Sequence, residues 1–188
     1  DLTAILWVFI VTVSFILFFE YDFISFEQND DMFISTIPSG LYGQHYIYIC
    51  FSNILQGIFL SGLSKILPIC NWTIMLYIGY IYISYVGIGV WAVETKGAVI
   101  GVGLSVLFFL TTYDSLLHNM NFSKTGGVLM SAGVMIFVHY TKKLSGKKSI
   151  ISLLISGGMI FAGSLVRRDS IIAFLPFVMI LIISVVLQ

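Results

Sequence analysis

The residues able to do chemistry in this chain fall into three short clusters. Asn29-Asp30-Asp31 sets two carboxylates side by side, ahead of Ser39-Gly40-Leu41-Tyr42-Gly43, whose glycines permit tight turns. Adjacent carboxylates would bind a divalent metal, Mg or Mn, together with a phosphate-bearing substrate, or one would act as general base while its neighbour sets its pKa. The second cluster runs from Tyr113 to Gly127 and holds Asp114, His118 and Lys124. Asp114 and His118 stand four residues apart and would share a helix face, the spacing of an acid-base pair. Lys124 is the single cation of its stretch and suits a phosphate group. In the third cluster, Arg167-Arg168-Asp169, either arginine would grip a lipid-linked phosphate bidentately.

Each cluster also has a plainer reading. The first fits a solvated acidic loop, and the second an interfacial helix end that turns at Gly126-Gly127. Arg167 and Arg168, at a junction between apolar runs, fit residues that set topology or anchor headgroups. Asn53 and Gln56 read as glue between helices, Asn71-Trp72 as a turn with an aromatic anchor, and Cys50 and Cys70 as small membrane-buried residues. His45, His139, Glu94 and Lys96 fall at expected interfaces and need no special role. No nucleotide-binding glycine loop, zinc signature or nucleophile elbow occurs.

The elements that must position these residues are apolar helices. Hydrophobic residues make up 59% of the 188 and charged residues 10%, against about 25% charged in a soluble domain, and mean hydropathy is +1.03. Uncharged windows of roughly 20 residues suffice to cross about 30 Å of hydrocarbon at 1.5 Å per residue. The alternation a membrane barrel requires is missing. Net charge is zero, with none of the clustered basic surface that nucleic-acid binding demands.

The fold class is therefore all-α, a polytopic transmembrane helical bundle with about six or seven membrane segments. Spans are expected at 2–19, 46–67, 73–93, 98–117, 126–140, 150–166 and 170–187. The stretch 126–140 is short and 98–117 ends in polar residues, so either would suit a re-entrant or tilted segment. Pro176 would kink the last span. The first span lacks a basic lead and a small-residue cleavage site, and reads as an anchor. Residues 1–188 read as one transmembrane domain, the N-terminal part of a longer chain being an expectation from the absent initiator Met and the apolar end at Gln188.

Charge sets an orientation and poses a conflict. Loop 20–44 holds Glu20, Asp22, Glu27, Asp30 and Asp31 without Lys or Arg, whereas 141–149 holds Lys142, Lys143, Lys147 and Lys148. The positive-inside rule puts the lysines in the cytoplasm and the acidic loop outside. Four expected spans separate the two loops, yet an even number returns the chain to the side it left. Either the first loop is cytoplasmic or one intervening segment does not cross, and the second is favoured, 98–117 or 126–140 being the candidates.

The order of features, a first span, Asn29-Asp30-Asp31 with Ser39-Gly40 and Tyr42-Gly43, then Asn121-Phe122-Ser123-Lys124-Thr125, then Leu165-Val166-Arg167-Arg168, resembles polytopic bacterial proteins of cell-surface polysaccharide clusters, some of which are similar to GT-C class glycosyltransferases. That resemblance implies a bacterial plasma-membrane protein that transfers a sugar from an isoprenoid-phosphate-linked donor. An Asp of the first extracytoplasmic loop serves such an active site, a role that would fall on Asp30 or Asp31, with a second acidic site at Asp114. Lys124, Arg167, Arg168 and His118 would bind substrate. Two other classes stay open: a polysaccharide polymerase or lipid-linked-sugar transporter, in which cavity-facing charges matter more than the acidic loop, and a non-catalytic membrane subunit.

Overall fold

The computed structural model describes residues 2–27, 29–141 and 147–167, together with 169, 172 and 179. In chain order the elements are α1 (Leu2–Tyr21), β1 (Ser25–Phe26), α2 (Asn29–Thr36), α3 (Ile54–Ile66), α4 (Trp72–Lys96), α5 (Ala98–Tyr113) with a π turn at Asp114–His118, β2 (Asn119–Met120), α6 (Phe122–Thr141) and α7 (Lys147–Val166). The protein is mostly helical, as its apolar runs require. Four of its helices are long and apolar enough to cross a membrane: Leu2–Tyr21, Trp72–Lys96, Ala98–His118 and Ser149–Val166.

Contacts between helices fix their up-and-down order. Trp7 Nε1 donates to the carbonyl of Tyr85 at 3.0 Å, and the hydroxyls of Thr12 and Tyr82 meet at 2.9 Å, so α4 runs antiparallel to α1. Gly97 alone separates α4 from α5. Its φ of +81°, open to glycine without steric cost, makes the reversal in one residue, and its N–H closes α4 on the Val93 carbonyl at 3.0 Å. At the far end of α6 the Tyr140 hydroxyl donates to Glu94 Oε2 of α4 at 2.5 Å, and α7 begins beside it with Ser149 Oγ on the Tyr140 carbonyl at 3.2 Å. The last carbonyls of α7, Leu165 and Val166, accept from Asn53 N at 2.8 Å and Ser52 Oγ at 3.0 Å. One end of the bundle thus carries the long loop after α1, the π turn, the start of α6 and the end of α7. The other carries the ends of α4 and α6 and the start of α7.

Packing explains why the helices approach so closely. A Cβ on Gly89 would lie 1.8 Å from Trp7 Nε1, so only glycine lets the indole lie flat on α4 and reach the Tyr85 carbonyl. Trp7, Val11, Phe15 and Phe18 form the buried face of α1 against Tyr77, Ile81 and Tyr85. Between α6 and α7 the approach is backbone on backbone, with a Cβ on Gly163 placed 2.9 Å from the Gly126 carbonyl oxygen. Small residues at such seams are how helices associate where lipid removes the hydrophobic drive.

The second expected span differs from the structure. Residues 46–53 are not helical, and α3 spans 13 residues, about 20 Å at 1.5 Å per residue, short of a 30 Å core. Its N-cap Asn53, which accepts from Leu55 N at 3.0 Å, is tied to the end of α7, and Leu67 passes the chain back toward α4 at the same end, with Trp72 Nε1 on the Leu67 carbonyl. Asn53 is therefore a helix cap, not glue between helices. Cys50 and Cys70 flank α3 outside any helix, Cys50 exposed and Cys70 partly exposed.

The two doubtful segments, by contrast, are full helices: Ala98–His118 has 21 residues and α6 has 20. Three long helices therefore separate the acidic loop from Thr141, and the two loops sit at opposite ends. The expected span at 46–67 is therefore not a helix of crossing length, and α6, one of the two doubtful segments, is not among the four helices long and apolar enough to cross. The expected span at 170–187 lies outside the described residues apart from Ile172 and Met179.

Candidate functional site

The first loop is stitched to the polar stretch after α5. Strand β1 pairs in parallel with β2, Ser25 opposite Asn119 and Phe26 opposite Met120, and Glu27 N extends the ladder to the Met120 carbonyl at 3.2 Å. Ser25 Oγ also donates to the His118 carbonyl. This brings α2 over the N-terminus of α6. There Asn121 caps the helix, its Oδ1 accepting from Ser123 N at 2.7 Å and Lys124 N at 3.4 Å.

Asp30 and Asp31 part ways because consecutive helix positions point about 100° apart. Asp31 is 2% exposed and turned inward, accepting from Phe122 N at 2.9 Å and Asn121 Nδ2 at 3.2 Å. Its charge sits against the positive end of the α6 dipole, where a carboxylate is stabilised. Asp30 is exposed and lines a cleft of about 450 Å³ with Glu27, Phe51, Asn121, Phe122, Ser123, Lys124, Arg167 and Asp169.

Two cations face this cleft. Lys124 Nζ lies 2.8 Å from Glu27 Oε2 and donates to the Ser115 carbonyl at 3.4 Å. Arg167 follows α7, its guanidinium 5.7 Å from the centre of the Phe122 ring, which stacks in turn on Phe51 at 5.7 Å. Phe51 holds a φ of +63°, rare for a residue with a side chain, beside the Ser52 and Asn53 contacts to α7.

Asp114 and His118 meet as their spacing implies, with Nδ1 to Oδ1 at 3.0 Å, and Asn119 Nδ2 donates to the other carboxylate oxygen at 3.4 Å. Asp22, at the end of α1, lies 3.4 Å from His118 Nε2. The imidazole is framed by Phe18 and Tyr113 with ring centres at 5.5 and 5.6 Å. The five-residue π turn that carries the pair lets the chain leave α5 sideways into β2. Asp114 and His118 share the acidic end of the bundle with the cleft but do not line it.

The structure therefore gathers Asp30, Lys124 and Arg167, sets Asp31 behind them, and leaves Asp114 with His118 in a separate acid-histidine pair. Arg168 lies outside the described residues. Sequence reasoning passed over Glu27, Phe51 and Asp22. Glu27 precedes Asn29-Asp30-Asp31 by two residues, and its charge opposite that of Lys124 was the available signal; Phe51 and Asp22 carry none beyond their type.

A divalent metal fits these residues poorly. Asp31 spends both oxygens on Phe122 N and Asn121 Nδ2, Glu27 of the same cleft is paired with Lys124, and among the described residues no group of three or more His, Cys, Asp or Glu could hold a metal. Two cations stand in the cleft instead. Lys124 and Arg167 share the cleft with the carboxylates Glu27, Asp30 and Asp169, so an anion held by the two cations would first have to displace Glu27 from Lys124.

In comparisons with known proteins, no family model, curated protein or solved structure matches the chain.

Proposed function

We propose that this protein transfers a sugar from an isoprenoid-phosphate-linked donor in the assembly of a cell-surface polysaccharide, working at the extracytoplasmic face of a bacterial plasma membrane. The observation that carries this reading is the meeting of Asp30, Lys124 and Arg167, widely spaced in sequence, in one cleft at one end of the bundle. The orientation rests on charge. Lys142, Lys143, Lys147 and Lys148 fall in sequence between Thr141 and Ser149, which stand at the end opposite the acidic loop, and the positive-inside rule assigns that end to the cytoplasm.

In this reading Lys124 and Arg167 hold the donor phosphate and neutralise the charge that grows on it as the bond from sugar carbon to phosphate oxygen breaks. Asp30 takes the proton of the acceptor hydroxyl as its oxygen bonds to that carbon. Asp31 positions Asp30 and the start of α6 without touching substrate. The aromatic pair Phe51 and Phe122 offers a face for a sugar ring.

Transfer from a lipid-linked donor, assayed with the full chain in liposomes, tests it. Asp30→Asn is expected to lower the rate by about a hundredfold with normal expression, and full activity in that variant would sink the assignment. Polymerase or transporter function gains instead if Asp30→Asn is silent while Arg167→Gln abolishes chain growth or export.

A further inference from the structure

Helix α3 is built inside out. Ile54, Leu55, Ile58, Phe59 and Ile66 fall on one stripe of the helix and are between 42% and 75% exposed. The opposite face buries Gln56, Ser61 and Ser64 beside Leu60. Its polar groups turn onto the protein itself: Ser61 Oγ donates to the His45 carbonyl at 3.2 Å, and Gln56 Nε2 to the Tyr77 hydroxyl at 3.4 Å. Gly57 completes this inner face, because a Cβ there would lie 1.8 Å from the Ile47 carbonyl oxygen. A helix on a wet surface arranges its two sides the other way round, and five large apolar side chains in one patch are more than a water-facing surface ordinarily carries.

The anchors of α3 set its direction. Asn53 N, ahead of the first turn, donates to the Leu165 carbonyl at the end of α7, and Trp72 Nε1, at the start of α4, donates to the Leu67 carbonyl just past the last turn. Both partners belong to the acidic end of the bundle, so the length of α3, about 20 Å, runs along the membrane plane at that end. The residues around it are those that favour the boundary between headgroups and hydrocarbon. Tyr46 and Tyr48 are exposed ahead of the helix and Trp72 stands after it. Lys65, the only charged residue of α3, is exposed in its last turn, where the long stem lies along apolar surface while the ammonium reaches a phosphate.

We propose that α3 is an interfacial helix whose outer face is immersed in the phospholipid of the leaflet at the acidic end of the bundle. The lipid completes the amphipathic pattern that the protein inverts, taking the apolar face that a soluble helix would bury in its own core. The cleft follows α3 in depth, since Phe51 leads into the cap Asn53 and stacks on Phe122. It therefore opens at the level of the lipid phosphates, and this holds whatever the cleft binds.

Electron paramagnetic resonance of nitroxide labels tests the proposal on the full chain, with Cys50 and Cys70 replaced, in liposomes of phosphatidylethanolamine and phosphatidylglycerol. Leu55→Cys, Ile58→Cys and Phe59→Cys, labelled one at a time, should collide with dissolved oxygen far more readily than with a water-soluble nickel chelate, at a depth of about 5–10 Å below the headgroups. Leu41→Cys, in the preceding loop, gives the wet reference, and Leu107→Cys, exposed on α5, the lipid reference. The three positions are read independently, so a variant that fails to fold leaves two others to decide. Access to the nickel chelate equal to that at position 41 would put the face in water and overturn the proposal. Poor access to both reagents, or broadening of the spectra by neighbouring labels, would mean that protein, such as a second copy of the chain, covers the face, and would overturn it equally.

Discussion

Asp30 and Asp31 show how much one step along a helix decides. Buried Asp31 accepts from a backbone N–H and a side-chain amide belonging to a segment some ninety residues away. Asp31→Ala strands both buried donors, at about 1–3 kcal/mol each, so the variant should lose about 3 kcal/mol of stability and show a clearly lower midpoint in thermal unfolding in detergent. Asp30→Ala, on an exposed site, should unfold with the unaltered protein. Equal midpoints for the two would contradict the inward placement of Asp31. The sequence marks Asp30-Asp31 as a site but cannot rank them, because which of two adjacent carboxylates faces inward depends on where α6 starts. For Asp114 and His118 the local spacing sufficed, since both partners ride on one helical turn.

At the scale of elements, the ends of α3 and α6 were more legible than their starts, because the caps Asn53 and Asn121 did not announce themselves as caps. Asn53, Asn71 and Asn121 each accept from backbone N–H groups one or two residues inside a helix. Asn121→Ala removes a cap worth about 1 kcal/mol together with a partner of Asp31, and its unfolding midpoint should fall between those of the unaltered protein and Asp31→Ala. The window 46–67 misled because hydropathy averages over Tyr46, Ile47, Tyr48 and Ile49, which are apolar yet not helical. Asn53 before the apolar run and Pro68 just after it bound a helix too short to cross. The close approach of α1 to α4 had no clear signature beyond a glycine among apolar residues. Gly89→Ala drives a methyl into the Trp7 indole and should cost about 1–3 kcal/mol, measurable as a lower resistance of the folded protein to denaturing detergent.

The whole molecule is polarised. Glu20, Asp22, Glu27, Asp30, Asp31, Asp114 and Asp169 gather at the end where the first loop, the π turn, the start of α6 and the end of α7 converge, while Glu94 lies at the other, and four of the nine basic residues fall in sequence between Thr141 and Ser149. The class, an all-α bundle with helices long and apolar enough to cross a membrane, follows from composition together with the missing alternation that a barrel would need. The site does not follow from composition. It needs α3 to stay on one side so that loop and cleft face the same compartment, and that depends on a cap and a short helix instead of on hydropathy.

Side-specific labelling of single cysteines tests this arrangement most directly. Leu41→Cys, Ile69→Cys, Asn119→Cys and Ser145→Cys would be made one at a time in a background with Cys50 and Cys70 replaced, and treated with an impermeant thiol reagent in whole cells and then after permeabilisation. Positions 41, 69 and 119 should label from outside and 145 only after permeabilisation. If 41 and 119 label from opposite sides the cleft cannot exist, and if 69 labels only from within, α3 crosses and the account of the bundle fails.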